Sequence, residues 1–320
     1  MTRMPALVVL AGATATGKTE LAIRLAEAII ASGRPAAIIS ADSRQVYRGL
    51  DIGTAKVSTA DRARVPHHGL DLVDPDQPFS VADFVAHAAG ELRDLHERGG
   101  IAVLAGGTGL YLRAVARGID TEALPSDPTV RARLETELTI DGLPALVERL
   151  RSVAPGLARE VDLRNPRRVV RALEIAEIAG DAPRPPARGY GGPLTWLALH
   201  VEPAVHRTWI AGRARAQFDA GLIEEARVLR ARFDPALPAF SAIGYREAWA
   251  VLDGEVTRDA AIELDARRNV AFARRQRTWF RSEPDITWLD ATEGLPEDAA
   301  IAATQRLLVE PISGRARPPS

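Results

Sequence analysis

The sequence of 320 residues contains no cysteine. That absence excludes disulfides, thiolate-bound zinc and a cysteine nucleophile, and it is typical of a protein that works in a reducing, cytoplasmic compartment. The sequence also lacks any apolar run of the roughly 18 residues that a transmembrane helix requires. We therefore expect a soluble cytoplasmic protein with no membrane partner.

Lysine is scarce as well, since it occurs only at Lys18 and Lys56, and arginine supplies the rest of the 41 basic residues. These nearly balance 42 acidic residues and leave a formal net charge of −1. A balanced total says little about local charge, because basic and acidic side chains can gather on different surfaces. With 46% hydrophobic residues, the chain can bury a sizeable core in one large domain or two modest ones.

Apolar runs and helical spacing alternate along the first third of the chain. Short apolar runs predict buried strands at 6–11, 36–40 and 101–105, with a weaker run at 70–73. Apolar residues at helical spacing predict helices at 18–30 and 81–98. Strands that alternate with helices indicate an α/β fold with a mainly parallel sheet.

The pattern changes near residue 119, where strand signals give way to helix starts such as Ser126-Asp127-Pro128 and Asn165-Pro166. A segment rich in proline and glycine at 181–193 is typical of a linker. Strand signals return at 194–201 and 286–289. We predict a core of residues 1–118 and 190–311, a helical insertion at 119–189 and a disordered tail at 312–320.

A phosphate-binding loop is the strongest motif. It consists of Gly12, Ala13, Thr14, Ala15, Thr16, Gly17, Lys18 and Thr19, and it matches G-x-x-x-x-G-K-[ST] between a predicted strand and a predicted helix. Backbone amides and the Lys18 ammonium would bind an anionic phosphate chain, and the Thr19 hydroxyl would bind Mg²⁺. The alternative is a glycine-rich turn in which the lysine is incidental.

The loop predicts a polyphosphate ligand but not the reaction that the ligand undergoes. Nucleotide kinases usually carry a carboxylate at the end of a second apolar strand, whereas the run at 101–105 ends in Gly-Gly-Thr-Gly. Asp42, which follows the run at 36–40, is the candidate acid near the phosphates. A small-molecule kinase that uses ATP is therefore an open alternative.

A set of motifs that occur in a fixed order along the chain then points to one protein family. They are GATATGKT (12–19), SADSRQVY (40–47), DIGTAK (51–56), PHH (66–68), GGTGLYL (106–112), NPRR (165–168), IGYRE (243–247) and RRQRTWF (274–280). Together they closely resemble the bacterial tRNA dimethylallyltransferases, from residue 12 to about 281. Small departures are Val57, Phe272 and Arg274, where the family often has Pro, Tyr and Lys.

The resemblance implies a P-loop NTPase-like sheet and transfer of a dimethylallyl group from dimethylallyl diphosphate to N6 of adenosine 37 in tRNA. It implies catalytic roles for Asp42 as the base, for Thr108 beside it and for Arg213 at the leaving group. Each residue has a structural alternative. Asp42 would cap a helix with Gln45 folded back, Thr108 would cap the helix that follows it, and Arg213 would be a solvated helix residue.

The expected cofactor is Mg²⁺, with Thr19 as the metal ligand. His67-His68 does not predict a metal site, because neighbouring residues do not share a face and the sequence offers no acidic or histidine partner at ligand spacing. We expect these two histidines to be structural. Lys56 lies in a family motif without a chemical assignment.

The segment 267–281 holds six arginines and no acid. On a helix, Arg267, Arg268, Arg274, Arg275, Arg277 and Arg281 fall on one half, and Phe272, Ala273, Trp279 and Phe280 on the other. We expect the first face to bind RNA and the second to pack on the core. The residues expected to bind tRNA are Asp42, Ser43, Arg44, Gln45, Thr108, Arg131, Arg167, Arg168, Arg171, Arg274 and Arg275.

The expected partners are the anticodon stem-loop of tRNA and dimethylallyl diphosphate, with no DNA partner, and the expected state is a monomer. Because a stacked base cannot reach the phosphate loop, we expect adenosine 37 to be flipped into the pocket beside Asp42. Besides the kinase, two alternatives are prenyl transfer to free AMP or ADP, as by an adenylate isopentenyltransferase, and a non-catalytic RNA-binding protein.

Overall fold

In a computed structural model, residues 4–119, 121, 125–181 and 186–309 are described. They form one sheet of six parallel strands in the order β3-β2-β4-β1-β5-β6. The strands are β1 (Ala6–Gly12), β2 (Ala36–Ser40), β3 (His67–His68), β4 (Ile101–Gly106), β5 (Leu194–His200) and β6 (Thr287–Asp290). The predicted α/β class with a parallel sheet is confirmed.

Helices connect and cover the strands. They are α1 (Lys18–Ala31), α2 (Thr59–Arg64), α3 (Val81–Glu97), α4 (Gly109–Ala116), α5 (Pro128–Val153), α6 (Pro155–Glu160), α7 (Pro166–Ala179), α8 (Pro203–Asp219), α9 (Leu222–Arg230), α10 (Tyr245–Leu252), α11 (Arg258–Arg281) and α12 (Glu297–Val309). Local chemistry explains several starts. Ser80 and Asp83 form a reciprocal capping box on α3, and the Asn165 side chain accepts the Arg168 amide at the start of α7.

Alternate residues of the central strand pack on opposite faces of the sheet. Leu7 and Val9 belong to one hydrophobic cluster, and Val8 and Leu10 belong to the other. Strand β1 is buried along its whole length, as expected for a parallel strand that is covered on both sides. The ends of β2, β4 and β1 are neighbours in the sheet, so the segments that follow these three strands meet at one edge.

The chain divides into two compact units, Met1–Gly118 with Gly189–Ser320, and Ile119–Arg188. The second unit has its own hydrophobic cluster, in which Leu134, Leu150 and Leu173 are fully buried. In the part of this unit that the structure describes, the regular elements are all helices. Helix α5 is interrupted at Gly142, whose φ of 78° lies in the left-handed region that glycine tolerates.

One predicted strand is wrong. The run at 70–73 does not form a strand, because Asp71 has a φ of 55° that an extended chain does not adopt. Val73 makes only an isolated bridge with Tyr47. The short strand β3 forms instead at His67 and His68, which pair with Ile38 and Ile39.

The predicted disordered tail at 312–320 and part of the predicted linker at 181–193 lie outside the described residues. Among the helices that the structure does describe, none is long and apolar enough to cross a membrane.

Candidate active site

A cavity of about 90 Å³ lies where β1, β2 and β4 end. Side chains from the phosphate loop, from the segment after β2 and from helices α8 and α11 line it. They include Lys18, Thr19, Asp42, Arg213, Phe272 and Gln276. The structure thus brings together residues that are up to about 260 positions apart in the sequence, and most of them are polar or charged. Such a lining suits an anionic ligand.

The phosphate loop, residues 12–19, wraps back on its own backbone. The Thr16 hydroxyl donates to the carbonyl of Ala13 at 2.9 Å, and the Lys18 ammonium donates to the same carbonyl. Gly17 has a φ of 82°, a left-handed backbone conformation that favours glycine. Lys18 and Thr19 line the cavity and are available to a phosphate.

Two side chains from other helices bind the peptide groups of Thr14. Gln276 of α11 accepts the Thr14 amide at 2.8 Å through Oε1 and donates Nε2 to the Gly107 carbonyl at 3.0 Å. His206 of α8 donates Nε2 to the Thr14 carbonyl at 2.8 Å, since a carbonyl only accepts. A Cβ at Gly107 would lie 2.3 Å from Gln276, so glycine permits this approach. The Thr14 amide is therefore directed at Gln276.

Sequence reasoning missed both of these residues. Gln276 lies in the motif Arg274-Arg275-Gln276-Arg277, in which the sequence analysis predicts a function for the arginines alone. An uncharged polar residue among these arginines could have indicated a different role for position 276. His206 gives no local signal, because its partner lies 192 positions away.

The charges around the cavity perturb one another. Burial lowers the pKa of Lys18 to about 7, with a further lowering from Arg213 and a partial offset by Asp42. Burial also lowers the pKa of Arg213, against which Asp42 and Asp265 act. Arg213 is therefore not the solvated helix arginine of the alternative prediction, because its side chain lines the cavity. Two cations that face one cavity form a site for a multiply charged anion.

Asp42 sits in a turn and caps no helix, so the capping-box alternative is wrong. Its Oδ1 accepts the Arg44 amide at 2.8 Å, and residues 43–46 form turns. Gln45 does not fold back on Asp42. It accepts the Ser40 hydroxyl at 2.8 Å and donates to the Thr54 carbonyl at 3.2 Å, which supports the cavity wall. Ser43 and Arg44 are partly exposed next to Asp42.

Thr108 occupies the capping position of α4, but its hydroxyl does not cap that helix. Instead, Thr108 Oγ1 accepts the Ser43 amide at 2.9 Å. This bond joins the segment after β4 to the segment after β2 and holds the turn that carries Asp42. The helix-cap alternative for Thr108 is therefore wrong, since its hydroxyl binds the residue that follows the candidate base.

Helix α11 agrees with the predicted two-faced pattern only in part. Ala273, Gln276 and Phe280 are buried, whereas Arg274 and Arg275 are exposed.

Two residues of α11 depart from the prediction. Phe272, which was expected to pack on the core, is 37% exposed and lines the cavity. Arg268 does not belong to the open basic face, because it forms an ion pair with the buried Glu247.

The four insertion arginines that are predicted to bind tRNA fall into two groups. Arg131 and Arg171 form ion pairs with the fully buried Glu174, at 2.9 and 2.7 Å. Burial opposes the ionisation of Glu174, but bonds from Arg171, the Asp127 amide and Arg131 outweigh it and hold the pKa of this carboxyl below its usual range. Arg131 and Arg171 thus hold the unit together.

The second group is Arg167 and Arg168, whose side chains are exposed at the start of α7. The exposed side chains of these two residues suit the predicted contact with RNA phosphates.

The motif at 51–56 is a packing element. The Lys56 ammonium is 1% exposed and binds Asp51 at 2.7 Å, Asp71 at 2.6 Å and the Tyr47 carbonyl at 2.8 Å. The Glu225 carboxylate accepts three consecutive amides, those of residues 51, 52 and 53. Lys56 thereby receives a structural role: it anchors the loop that lies beside the cavity.

The two adjacent histidines, His67 and His68, each contact another residue of the fold. His67 Nδ1 donates to the Val65 carbonyl at 2.7 Å, and His68 Nδ1 lies 2.9 Å from Glu91. Among the described residues, no three histidine, aspartate or glutamate side chains converge in a way that would hold a metal ion. A metal at the cavity would therefore depend on Thr19, on ligand phosphates and on water.

Comparison with known proteins identifies the family of the chain. A family model described as IPP transferase matches residues 45–283. A tRNA dimethylallyltransferase of Anaeromyxobacter dehalogenans (strain 2CP-C) is 45% identical over 291 residues, which cover 88% of this chain and 94% of that protein.

Two solved structures also match. The full-length tRNA isopentenylpyrophosphate transferase of Bacillus halodurans is 36% identical, with a TM-score of 0.69 over 95% of each chain. A eukaryotic dimethylallyltransferase, captured acting on tRNA, is 23% identical with a TM-score of 0.77 over 95% of this chain and 79% of that one, which shows a shared fold alone. The family match, the close relatives and the loop geometry agree: the chain belongs to the IPP transferase family.

Proposed function

We propose that this chain transfers the dimethylallyl group of dimethylallyl diphosphate to N6 of adenosine 37 in the anticodon loop of tRNA. The observation that carries the proposal is a single cavity lined by a phosphate-loop lysine, an arginine and a carboxylate, Lys18, Arg213 and Asp42. Two cations suit a diphosphate leaving group, and a carboxylate suits the proton of the attacking amine.

Asp42 acts as the base. The lone pair of an adenine amino group is delocalised into the ring, so the amine attacks better when a base takes its proton. In the reaction, the bond from N6 to the first carbon of the allyl group forms, and the bond from that carbon to the diphosphate oxygen breaks. The diphosphate leaves with the bonding pair, and one N6 proton passes to the Asp42 carboxylate. Thr108 supports this geometry through its bond to Ser43.

Lys18 and Arg213 stabilise the leaving group. As the allylic bond stretches, negative charge grows on the diphosphate oxygen and positive charge on the allyl carbon. Both side chains line the same cavity, so both are placed to meet the charge that develops on the leaving group. Other backbone amides of the phosphate loop help to bind the diphosphate. The Thr14 amide does not, because it donates to Gln276.

The residues present fit Mg²⁺. This ion keeps several waters and takes only one or two protein oxygens together with phosphate oxygens, and the cavity offers the Thr19 hydroxyl beside the Asp42 carboxylate. Thr19 would hold the ion, which would neutralise charge on the diphosphate.

Exposed arginines suit the RNA. Arg167 and Arg168 on α7, and Arg274 and Arg275 on α11, have exposed side chains. Guanidinium groups bind phosphates bidentately and stack on bases. Because the acceptor amine must reach Asp42, the proposal requires adenosine 37 to leave the base stack of the loop and enter the cavity.

The test incubates the purified chain with Mg²⁺, labelled dimethylallyl diphosphate and an unmodified tRNA transcript, followed by nuclease digestion and mass spectrometry. We expect N6-dimethylallyl adenosine at position 37, and none from a transcript with guanosine there. Formation of ADP from ATP without prenyl transfer would favour a kinase. Efficient prenylation of AMP in place of tRNA would favour an adenylate isopentenyltransferase. Either result overturns the proposal.

A further inference from the structure

Phe272 is an aromatic side chain in a cavity that is otherwise polar. Among the described residues that line it, Phe272 is the one large apolar side chain, and the other apolar groups are the small Ala55 and Ala105. Its ring is 37% exposed, while the next residue, Ala273, is buried. Phe272 shares the cavity with Lys18 and Asp42 and belongs to none of the hydrophobic clusters found among the described residues. It is placed instead to contact whatever enters the cavity.

The ligand of the proposed function needs such a surface. Dimethylallyl diphosphate has a charged end and a branched apolar end. The charged end belongs with Lys18 and Thr19, which leaves Phe272 as the large apolar surface for the other end. We propose that Phe272 forms the wall that receives the dimethylallyl group and limits the length of the prenyl chain. This inference rests on the proposed function and assigns the specificity of the same site.

The surroundings of Phe272 hold the ring in place. Helix α11 is anchored by the bonds of Gln276 to Thr14 and Gly107 and by the buried Phe280. The Arg275 guanidinium carbon lies 5.7 Å from the centroid of the Phe272 ring, within reach of a cation–π contact. A bulky ring carried by an anchored helix limits the length of prenyl chain that the cavity can accept. An aromatic face also stabilises the positive charge that grows on the allyl group.

The competing use of Phe272 is to stack on the flipped adenine. The two uses predict different losses. A prenyl wall changes the affinity for the donor and the choice between donors, whereas a stacking surface changes the affinity for tRNA. In either case we expect loss of the apolar contact to change the corresponding affinity about tenfold or more.

The first experiment needs no tRNA and no turnover. Calorimetry measures binding of dimethylallyl diphosphate and of inorganic diphosphate to the wild-type chain, to Phe272→Ala and to Phe272→Leu. We expect Phe272→Ala to weaken dimethylallyl diphosphate about tenfold and to leave inorganic diphosphate unchanged, with Phe272→Leu between. Leu264→Ala is the matched control, because Leu264 lies on the same helix, is also 37% exposed and does not line the cavity. Equal weakening of both ligands would overturn the proposal.

The second experiment offers dimethylallyl and geranyl diphosphate together with tRNA and measures both products by mass. We expect Phe272→Ala to shift the ratio of kcat/KM toward geranyl about tenfold or more, and Leu264→Ala to match the wild type. An unchanged ratio, with a raised KM for tRNA alone, would assign the ring to stacking. If the wild-type chain prenylates no tRNA, the proposed function fails, while the calorimetric comparison still decides whether Phe272 binds the prenyl group. Thermal unfolding of each variant checks that it folds.

Discussion

The affinity of this chain for diphosphate should fall as the pH rises through about 7, because of Lys18. Burial and the nearby Arg213 hold the pKa of Lys18 at about 7, while Asp42 acts against them. Near neutral pH, about half of the chains therefore carry a neutral lysine before the ligand binds. A bound diphosphate places negative charge beside the amine and raises its pKa again. Binding must then take up a proton.

The magnitude follows from the titration of one group. The charged fraction of Lys18 falls from about nine-tenths at pH 6 to about one-tenth at pH 8. If the charged form is the one that binds, Kd should rise about tenfold over this range, and about half a proton should be taken up per diphosphate at pH 7. Because the pKa of Lys18 rises when diphosphate binds, the affinity for diphosphate is highest below the pKa of the free chain and decreases above it.

Calorimetry with inorganic diphosphate tests this prediction, in buffers of different ionisation enthalpy at each pH. Diphosphate itself titrates in the same range, so the quantity of interest is the difference between the wild-type chain and Lys18→Met. We expect the variant to bind more weakly at pH 6 and to lack the extra proton uptake. Parallel pH dependences and equal proton uptake in the two proteins would refute the reasoning, and would mean that Lys18 is charged throughout.

Three further outcomes are expected. Asp42→Asn should lower the single-turnover rate of prenyl transfer about 10²- to 10⁴-fold and weaken tRNA binding far less; equal losses in both would indicate a folding role. Arg274→Ala with Arg275→Ala should weaken tRNA binding and reduce the slope of log K against log salt by about 1 for each phosphate that the variant no longer binds, and an unchanged slope would remove α11 from the RNA interface. Glu174→Gln should lower the unfolding free energy of the insertion by about 1–3 kcal/mol near pH 7. Because the pKa of Glu174 is lowered in the fold, this difference between variant and wild type should shrink as the pH falls through that pKa. A difference in denaturant unfolding that does not change with pH would contradict this.

Much of the sheet could be predicted from short apolar runs. The strand at 36–40 has the predicted bounds, and the neighbouring strands differ from prediction by a residue or two. These runs succeed because a parallel strand covered on both faces must be apolar along its length. The run at 70–73 has similar composition but follows Gly69, and Asp71 takes a left-handed conformation. A short apolar run alone cannot distinguish such a partly buried turn from a strand.

Those residues of the candidate site that lie together in one short sequence motif could be predicted. Lys18 and Thr19 follow from a loop pattern whose spacing is set by the phosphate itself. Arg131 and Arg171 show the limit of this reasoning, since the sequence predicts contacts with RNA for both but not the ion pairs that both form with the buried Glu174. An arginine in sequence does not reveal whether its partner is a phosphate or a carboxylate.

Phe272 shows a different limit. A helical wheel gives the angle between side chains but not what each angle faces. Helix α11 has three kinds of neighbour: the hydrophobic core at Phe280, the open surface at Arg274, and the cavity at Phe272. A two-face interpretation therefore assigned the cavity side to the core.

The same helix connects the two proposed substrates. Its buried Gln276 binds the Thr14 amide and the Gly107 carbonyl, so α11 helps to set the shape of the phosphate loop. Its exposed Arg274 and Arg275 lie next to Gln276 in sequence, on the face proposed to bind RNA. A displacement of α11 by RNA would therefore act on the loop that holds the donor, through the two hydrogen bonds of one amide side chain. Any such coupling must be reciprocal in free energy, so a donor that tightens the loop would also favour the position of α11 that binds RNA.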